Sequence, residues 1–208
     1  MSDDAQRLAV LVHEVRSPVA ALAAIADASR ARSLDDEARR ALTALALAAC
    51  RAIERVVADA AVASVRLDRT DLADVVRESV HAAVLGGASV RATVEPGLSP
   101  IDADRLRLRQ ALDNLIANAA THGGGEIVVR ASSGDGEVVL SVSDSGPGIP
   151  PDEQERVFEA GVRLDSTRPG SGLGLAVVHA IADAHGALVE LESEPGRGST
   201  FSLVFPLP

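Results

Sequence analysis

Several residue types that often mark a function are scarce in this 208-residue chain. It has no lysine, tryptophan or tyrosine, three phenylalanines and a single cysteine, Cys50. One cysteine excludes a disulfide framework and is typical of a reducing compartment. Because aromatic residues make up 1% and apolar residues 47% of the chain, the core must be filled by Ala, Val, Leu and Ile.

The charge balance argues against nucleic acid as a partner. The net charge is −10, and every basic residue is an arginine outside any basic run, whereas binding to a phosphate backbone needs clustered basic residues. The apolar run from Ala41 to Cys50 is far shorter than the roughly 18 residues that cross a bilayer, and the acidic N-terminus lacks a signal-peptide pattern. We therefore expect a soluble, cytoplasmic chain with no membrane segment.

The first 66 residues carry the pattern of a helical hairpin. Large apolar residues recur at steps of three and four, which places each set on one helix face. The first stripe is Leu8, Val12, Val15, Val19, Leu22 and Ile25, and the second is Leu42, Leu45, Ala49, Ile53, Val56 and Ala60. The polar segment 30–37 supplies a turn, with Ser33 or Asp35 as a helix cap. A lone hairpin leaves one side of its apolar stripes exposed to solvent. We therefore predict that residues 1–66 homodimerise into a four-helix bundle.

Residues 67–208 alternate strand and helix patterns. After a linker at 65–70, helices are predicted over 72–85, 104–121, 152–159 and 172–185, and strands over 89–94, 126–131, 137–143, 187–193 and 199–205. Gly186 is expected to cap the last helix, and His185 lies where a cation is mildly favoured. Strands gathered with helices on one face make an α/β sandwich. The fold class is therefore predicted to be α+β, with a helical dimerisation domain followed by this sandwich.

A histidine lies on the polar side of the first helix. At 100° per residue, His13 falls about 140° from Leu8 and Ser17 about 180°, with Glu14 adjacent. Pro18 removes a backbone donor in mid-helix and is expected to bend it. A neutral imidazole is a competent nucleophile, and a neighbouring carboxylate can accept the proton of its other ring nitrogen. An ordinary surface histidine would be the better interpretation of His13 alone, but this combination favours a catalytic site.

Separated motifs in the second half suit a nucleotide. Asn114 and Asn118 are one helical turn apart, and a side-chain amide oxygen can bind Mg²⁺, although two amides bonded in the core would look alike. Asp144 follows a strand and could accept a hydrogen bond from an adenine amino group. Gly146 and Gly148 after it would let backbone approach the ring.

A glycine-rich segment also opens the last predicted helix. Gly170, Gly172 and Gly174 would present free N–H groups to a phosphate at the helix N-terminus. Arg163 and Arg168 are the cationic candidates for the phosphates, although Arg163 could equally pair with an acidic surface residue. The second half therefore supplies groups for both the base and the phosphates.

The order of these motifs resembles that of the two-component sensor histidine kinases. His13-Glu-Val-Arg-Ser-Pro18 resembles the H-box, whose usual form is His-Glu-x-Arg-Thr-Pro, with Ser17 in place of Thr. The other matches are the N-box around Asn114 and Asn118, the G1 box Asp144–Ile149, the F-box Val157–Arg163 with Phe158 as a hydrophobic latch, the G2 box Gly170–Leu175, and the final hairpin Gly196–Phe201. The resemblance covers nearly the whole chain, from His13 to Pro206.

The resemblance implies a Bergerat-type ATP-binding fold, with ATP and Mg²⁺ as cofactors and a response regulator receiver domain as partner. It assigns autophosphorylation to His13, proton acceptance to Glu14, weak phosphatase activity to Ser17 and the metal to Asn118. The residues that it assigns to nucleotide binding are Asn114, Asn118, His122, Asp144, Gly146, Gly148, Arg163, Gly170, Gly172, Leu173 and Gly174.

Two other functions use the same nucleotide fold. A serine kinase of the anti-sigma type would lack the hairpin and the H-box, both of which are present here. A degenerate adaptor would dock a response-regulator-like partner without turnover. The scarcity of aromatic residues, and Thr121 where a basic residue often assists the phosphates, leave room for the adaptor. The residues that argue against it are intact: His13, Glu14, Asn118, Asp144, Gly172 and Gly174.

Overall fold

The chain divides into two compact units between Ala60 and Ala61. The computed structural model describes residues 3–29, 35–62, 65–164 and 172–207. The first unit holds helix α1, Asp3–Ala28, and most of helix α2, Asp36–Val62. Asp35 caps α2, because its carboxylate accepts a hydrogen bond from the N–H of Ala38 at 2.7 Å. The other predicted cap, Ser33, lies outside the described residues.

The apolar stripes of the two helices are only partly covered within one chain. Ala49 and Val56 are buried, but Val19 and Leu45 are 49% and 58% exposed. Helix α1 continues through Pro18, which is buried, while Ser17 is exposed as predicted. Val19 and Leu45 therefore lie on the open flank of the stripes. No helix among the described residues is long and apolar enough to span a bilayer.

A five-stranded sheet forms the frame of the second unit. Its strands are β2 (Val90–Val94), β4 (Ile127–Gly134), β5 (Glu137–Asp144), β6 (Leu188–Glu194) and β7 (Gly198–Pro206), in the order β2-β4-β5-β7-β6. The β2–β4 pair is parallel and the other pairs are antiparallel. Buried residues alternate along β4 and β5, so one face of the sheet points to the core.

Three helices pack on the apolar side of this sheet and close the core. They are α3 (Leu72–Leu85), α4 (Arg105–His122) and α5 (Gly174–Ala184). Leu112 of α4 and Ile181 of α5 are fully buried with Leu140 and Leu203 of the sheet. Helices on one face of a mainly antiparallel sheet form the predicted two-layer α/β sandwich, and this part of the fold prediction is confirmed.

The structure corrects the prediction at three places. The linker 65–70 ends in a strand, β1 (Asp68–Thr70), which pairs antiparallel with β3 (Ile101–Ala103). The Thr70 hydroxyl donates to the carbonyl of Ala103 at 2.8 Å, and three-residue strands are too short to show a period. The helix predicted over 152–159 is two single 3₁₀ turns, Pro151–Glu153 and Arg156–Phe158, because the chain enters the first turn through two prolines and becomes extended again at Glu159.

The third correction concerns the end of α5, where the cap lies one residue before the predicted Gly186. His185 is the cap residue, and Gly186 follows it with a left-handed φ of 64°. The His185 Nε2 atom accepts a hydrogen bond from the N–H of Asp104 at 2.9 Å, and its Nδ1 lies 2.6 Å from the carbonyl of Ile181. Because Nε2 is the acceptor in the first bond, the ring proton lies on Nδ1 and is donated to the carbonyl of Ile181.

Candidate nucleotide-binding site

A cleft of about 300 Å³ opens at one end of the second unit, between α4, α5 and the loop that follows β5. It draws together residues that lie far apart in the sequence. The predicted nucleotide-binding residues that line it are Asn114, Asn118, His122, Asp144, Gly148, Arg163, Gly172 and Gly174. Gly146 and Leu173 are next to lining residues but do not line the cleft themselves, and Gly170 lies outside the described residues.

The two asparagines of α4 have different surroundings. The Asn114 amide donates to the carbonyl of Gly174 at 3.4 Å and so connects α4 to the first turn of α5. Asn118 lies one turn further along, is half-buried and lines the cleft, and among the described residues no side-chain partner is found for it. Asn114 thus fits the structural interpretation that the sequence left open, whereas Asn118 is available to a ligand.

Asp144 ends β5 and turns its carboxyl group toward the cleft. Burial raises the pKa of this carboxyl group above its usual value, although the backbone N–H groups of Gly146 and Ser199 counteract part of that rise. The bond from the Gly146 N–H is 2.8 Å long. A half-buried carboxyl group with free acceptor capacity suits a neutral donor such as an amino group, whereas it would repel a phosphate.

Two neighbouring segments confine the loop after Asp144. A Cβ atom on Gly146 would lie 2.6 Å from the Cα of Gly123, at the end of α4. On the other side, Gly148 has φ of 69°, and a Cβ there would collide with the carbonyl oxygen of Glu194. The loop packs too closely against Gly123 and Glu194 for a side chain at position 146 or 148. Both glycines are therefore required by this packing, whether or not a ligand also approaches them.

The N-terminus of α5 faces the same cleft. Gly172, just before the helix, has φ of 75°, and its carbonyl accepts a hydrogen bond from the N–H of Gly161 at 3.1 Å. Leu173 occupies the cap position and provides no side-chain bond to the first-turn N–H groups. Gly174 has room for a methyl group, since the nearest atom to a Cβ there is 3.8 Å away. First-turn N–H groups without a side-chain cap are the donors that bind a phosphate at a helix N-terminus.

The cleft also has apolar lining residues that the sequence motifs do not assign to a ligand. Ile149, Val157 and Phe201 line the cleft with the polar groups above. Phe158 of the F-box packs edge-on against Phe201, with ring centroids 6.1 Å apart, and its ring lies 6.0 Å from that of His179. Alternation along β7 could have indicated that Phe201 points inward, but no sequence signal shows which core residues border the cleft.

The geometry of the cleft tests neither the predicted metal site nor the H-box. The described residues contain no group of three or more His, Cys, Asp or Glu side chains that could hold a metal ion. His13 and Glu14 belong to α1 in the first unit, and their side chains lie outside the described part. Among the described residues, those that line the cleft come from the second unit and include the nucleotide motifs.

The sequence of residues 103–208, which includes all the described residues that line this cleft, matches a known domain family. That family is the histidine kinase-, DNA gyrase B- and HSP90-like ATPases. The chain belongs to this family. Its named relatives are sensor histidine kinases and related sensor proteins, so within the family it is a histidine kinase homologue.

Relatives and solved structures extend the similarity over the hairpin. Sensor protein DivL of Caulobacter vibrioides is 34% identical over 93% of this chain and 27% of its own length. Sensor histidine kinase ZraS of Klebsiella oxytoca is 33% identical over 95% of this chain and 45% of its own. Full-length ShkA, solved in complex with AMPPNP, superimposes with a TM-score of 0.68 at 31% identity, covering 97% of this chain and 45% of ShkA. The chain thus spans a quarter to a half of the length of these proteins.

Proposed function

We propose that the chain is the catalytic core of a sensor histidine kinase, which autophosphorylates His13 with ATP and passes the phosphoryl group to an aspartate of a response regulator. The observation that carries the proposal is the convergence of Asn118, Asp144, Gly172 and Gly174 on one cleft. Three motifs separated in sequence, the N-box, the G1 box and the G2 box, contribute these residues, which supports a site for an adenine base and a phosphate chain. The AMPPNP complex of ShkA adds support from a similar protein.

Within the cleft, charge decides which end takes the base. The Asp144 carboxyl group would repel a polyphosphate and accept a hydrogen bond from an amino group, so the base belongs beside it. The phosphates belong at the N-terminus of α5, with Arg163 also lining the cleft. His122 and Thr121 line it as well. His122 is thus a polar wall residue at the end of α4.

Asn118 is the residue that would hold Mg²⁺. Mg²⁺ keeps several waters and shares its site with substrate phosphates, so it needs few protein ligands. In protein kinases one of those ligands is an asparagine, so an amide oxygen near the phosphates fits the ion. When bound, the ion neutralises charge on the phosphates during transfer. The amide oxygen of Asn118, a half-buried residue of the cleft, is the protein's contribution.

The reaction at His13 is a substitution at the γ-phosphorus of ATP. One ring nitrogen forms a bond to phosphorus, the bond from phosphorus to the β,γ-bridging oxygen breaks, and ADP leaves. Glu14 accepts the proton of the other ring nitrogen. The exposed Val19 and Leu45 of the hairpin support a homodimer, because a second copy would cover them in a four-helix bundle.

The test is labelling with γ-³²P-ATP of the wild-type protein, His13→Gln and a matched control, His81→Gln, which changes an exposed histidine of α3. We expect His13→Gln to lose all label yet bind ATP with unchanged affinity, because the nucleophile and the cleft belong to different units. The wild-type label should be labile in acid and stable in base, as a phosphohistidine is. His81→Gln should match the wild type.

The same assay separates the competing functions. Label that persists in His13→Gln would contradict the assignment of the nucleophile. ATP binding by the wild type without any label, in the presence of Mg²⁺, would instead favour the adaptor that docks a response-regulator-like partner. Labelling of an added protein at serine would favour the anti-sigma type of kinase.

A further inference from the structure

Ile149 lines the cleft. Its backbone N–H and its carbonyl are both hydrogen-bonded to side chains of residues outside the loop 147–149. The N–H of Ile149 donates to the hydroxyl of Ser193 on β6 at 2.8 Å. Its carbonyl accepts from the Gln154 side-chain amide at 3.0 Å, and the same amide donates to the carbonyl of Ser193 at 2.9 Å. Two side chains thus fix one residue of the cleft wall.

The Ser193 hydroxyl uses its full hydrogen-bonding capacity. It donates to the carbonyl of Gly198 at 2.9 Å and accepts from Ile149, and it lies 2.9 Å from the hydroxyl of Ser199. Since a hydroxyl has one hydrogen and two lone pairs, Ser199 must be the donor in the last contact. Ser199 is buried and lines the cleft. One hydroxyl therefore connects two cleft residues on different segments.

The turn between β6 and β7 holds the rest of this loop. The N–H of Gly196 donates to the carbonyl of Pro147 at 2.7 Å, and the carbonyl of Glu194 leaves no room for a side chain at position 148. Pro147 and Gly148 both line the cleft. The loop Pro147–Ile149 is therefore positioned by residues almost 50 places further along the chain, rather than by the motif in which it lies.

We propose that Ser193 and Gln154 are positioning residues for the nucleotide base, because they hold Ile149 and Ser199 in the cleft wall beside Asp144. The inference rests on the proposed ATP site. It deepens that proposal by naming two residues outside the nucleotide motifs that set the fit to adenine. The phosphate end of the cleft, at Gly172 and Gly174, has no bond to either residue among the contacts of the described part.

The closing experiment compares Ser193→Ala, Ser193→Thr and Gln154→Ala in the full chain, with Ser141→Ala as the control in a half-buried serine of the same sheet. Dissociation constants for ATP and GTP, inhibition by inorganic triphosphate, and the label incorporated at saturating ATP are measured for each. Thermal unfolding of each variant accompanies the titrations.

We expect Ser193→Ala to weaken ATP binding roughly tenfold, because the N–H of Ile149 loses its partner. GTP binding, inhibition by triphosphate and the rate at saturating ATP should change less than twofold, so KM rises while kcat holds. Gln154→Ala should have a smaller effect in the same direction. Ser193→Thr keeps the hydroxyl and should restore ATP affinity, and Ser141→Ala should match the wild type.

Three results would overturn the inference. ATP affinity of Ser193→Ala and Gln154→Ala equal to that of the wild type would show that neither residue positions the base. An equal loss of ATP, GTP and triphosphate binding would show a general loss of structure instead. The third result is a wild-type protein that binds no nucleotide at all. It would overturn the proposed function on which the inference rests, whereas the first two results would overturn the inference alone.

Discussion

The two units of the chain differ in how far each covers its own apolar residues. Among the residues whose side chains the structure describes, the largest fully buried ones all belong to the α/β unit, from Leu72 to Leu203 in sequence. In the described part of the hairpin, Ala49 and Val56 are the buried hydrophobic residues, while Val19 and Leu45 are each about half exposed. The α/β unit thus buries its apolar core without a second copy. If the hairpin dimerises as proposed, its stability depends on concentration.

The largest expected effect comes from a substitution in the core of the α/β unit. Leu112→Ala removes a fully buried side chain from the centre of α4 and should cost about 2–5 kcal/mol of the stability of the α/β unit. Hydrogen exchange read by mass spectrometry should show faster exchange in α4 and the sheet, with α1 and α2 unchanged. Leu106→Ala is the control in the same helix, because Leu106 is 74% exposed and its loss should cost less than about 0.5 kcal/mol. Equal exchange in both variants would mean that α4 is not central to the core.

The next effect concerns the open stripe. Leu45→Glu places a charge where a second hairpin is expected, while glutamate preserves the helix. Losing the burial of one leucine in each copy should weaken the dimer by about 3 kcal/mol or more, which is roughly a hundredfold in Kd. Sedimentation equilibrium would measure it. Leu188→Glu, at an exposed leucine of the α/β unit, should leave the dimer intact, and a wild-type chain that sediments as a stable monomer would remove the four-helix bundle.

A third effect concerns the segment that leads into the α/β unit. The Asp104 carboxylate accepts bonds from the N–H groups of Leu106 and Arg107 at the start of α4 and from that of Arg66. Burial alone would raise the pKa of this carboxyl group, but the N–H groups of Arg66, Arg107 and Leu106 outweigh it and hold the pKa below its usual value. Asp104 thus stabilises the fold above the pKa of the unfolded chain, and this contribution is lost as the pH falls through the lower, folded-state pKa.

Asp104→Ala should therefore cost about 1–2 kcal/mol at pH 7, and the difference from the wild type should shrink below about pH 4. Urea unfolding followed by circular dichroism would measure both. Asp71→Ala, which removes a single bond from the cap of α3, is the control and should cost less. A difference from the wild type that stays constant down to pH 3 would show that the charge of Asp104 contributes nothing.

The sequence predicted the regular elements well where apolar residues repeat with a clear period. Helix α4 and strands β4 and β5 were predicted to within a few residues, because burial on one face imposes the pattern. Strands β1 and β3 were missed because three residues show no period. The hydrogen bonds of Asn114, Ser193 and Gln154 could not be predicted either. Each joins a side chain to a backbone group of another segment, and no repeating pattern in the sequence indicates that pairing.

The smallest expected effect concerns Ser17 and phosphatase activity. This activity is predicted for the hairpin and not for the nucleotide cleft. Ser17 is exposed on α1, one turn after His13. In the family that the H-box resembles, a hydroxyl or amide at this position can orient the water that hydrolyses the phospho-aspartate of the partner. Serine retains the hydroxyl but lacks the methyl group that restricts the rotamers of threonine, so we expect phosphatase activity that is present but weak.

Ser17→Ala should slow the decay of a phosphorylated regulator about fivefold, the equivalent of one hydrogen bond of about 1 kcal/mol, while leaving labelling of His13 unchanged. Ser17→Thr should speed that decay, because its hydroxyl is held in fewer orientations. The decay is followed with each variant in excess over the regulator, and Ser29→Ala, at an exposed serine that follows the same helix, serves as the control. Since the reaction needs the hairpin and the regulator, the nucleotide cleft should have no part in the difference, and removing ATP from the assay should not change the order of the variants. Identical decay for Ser17→Ala, Ser17→Thr and the wild type would make Ser17 an ordinary surface residue of α1.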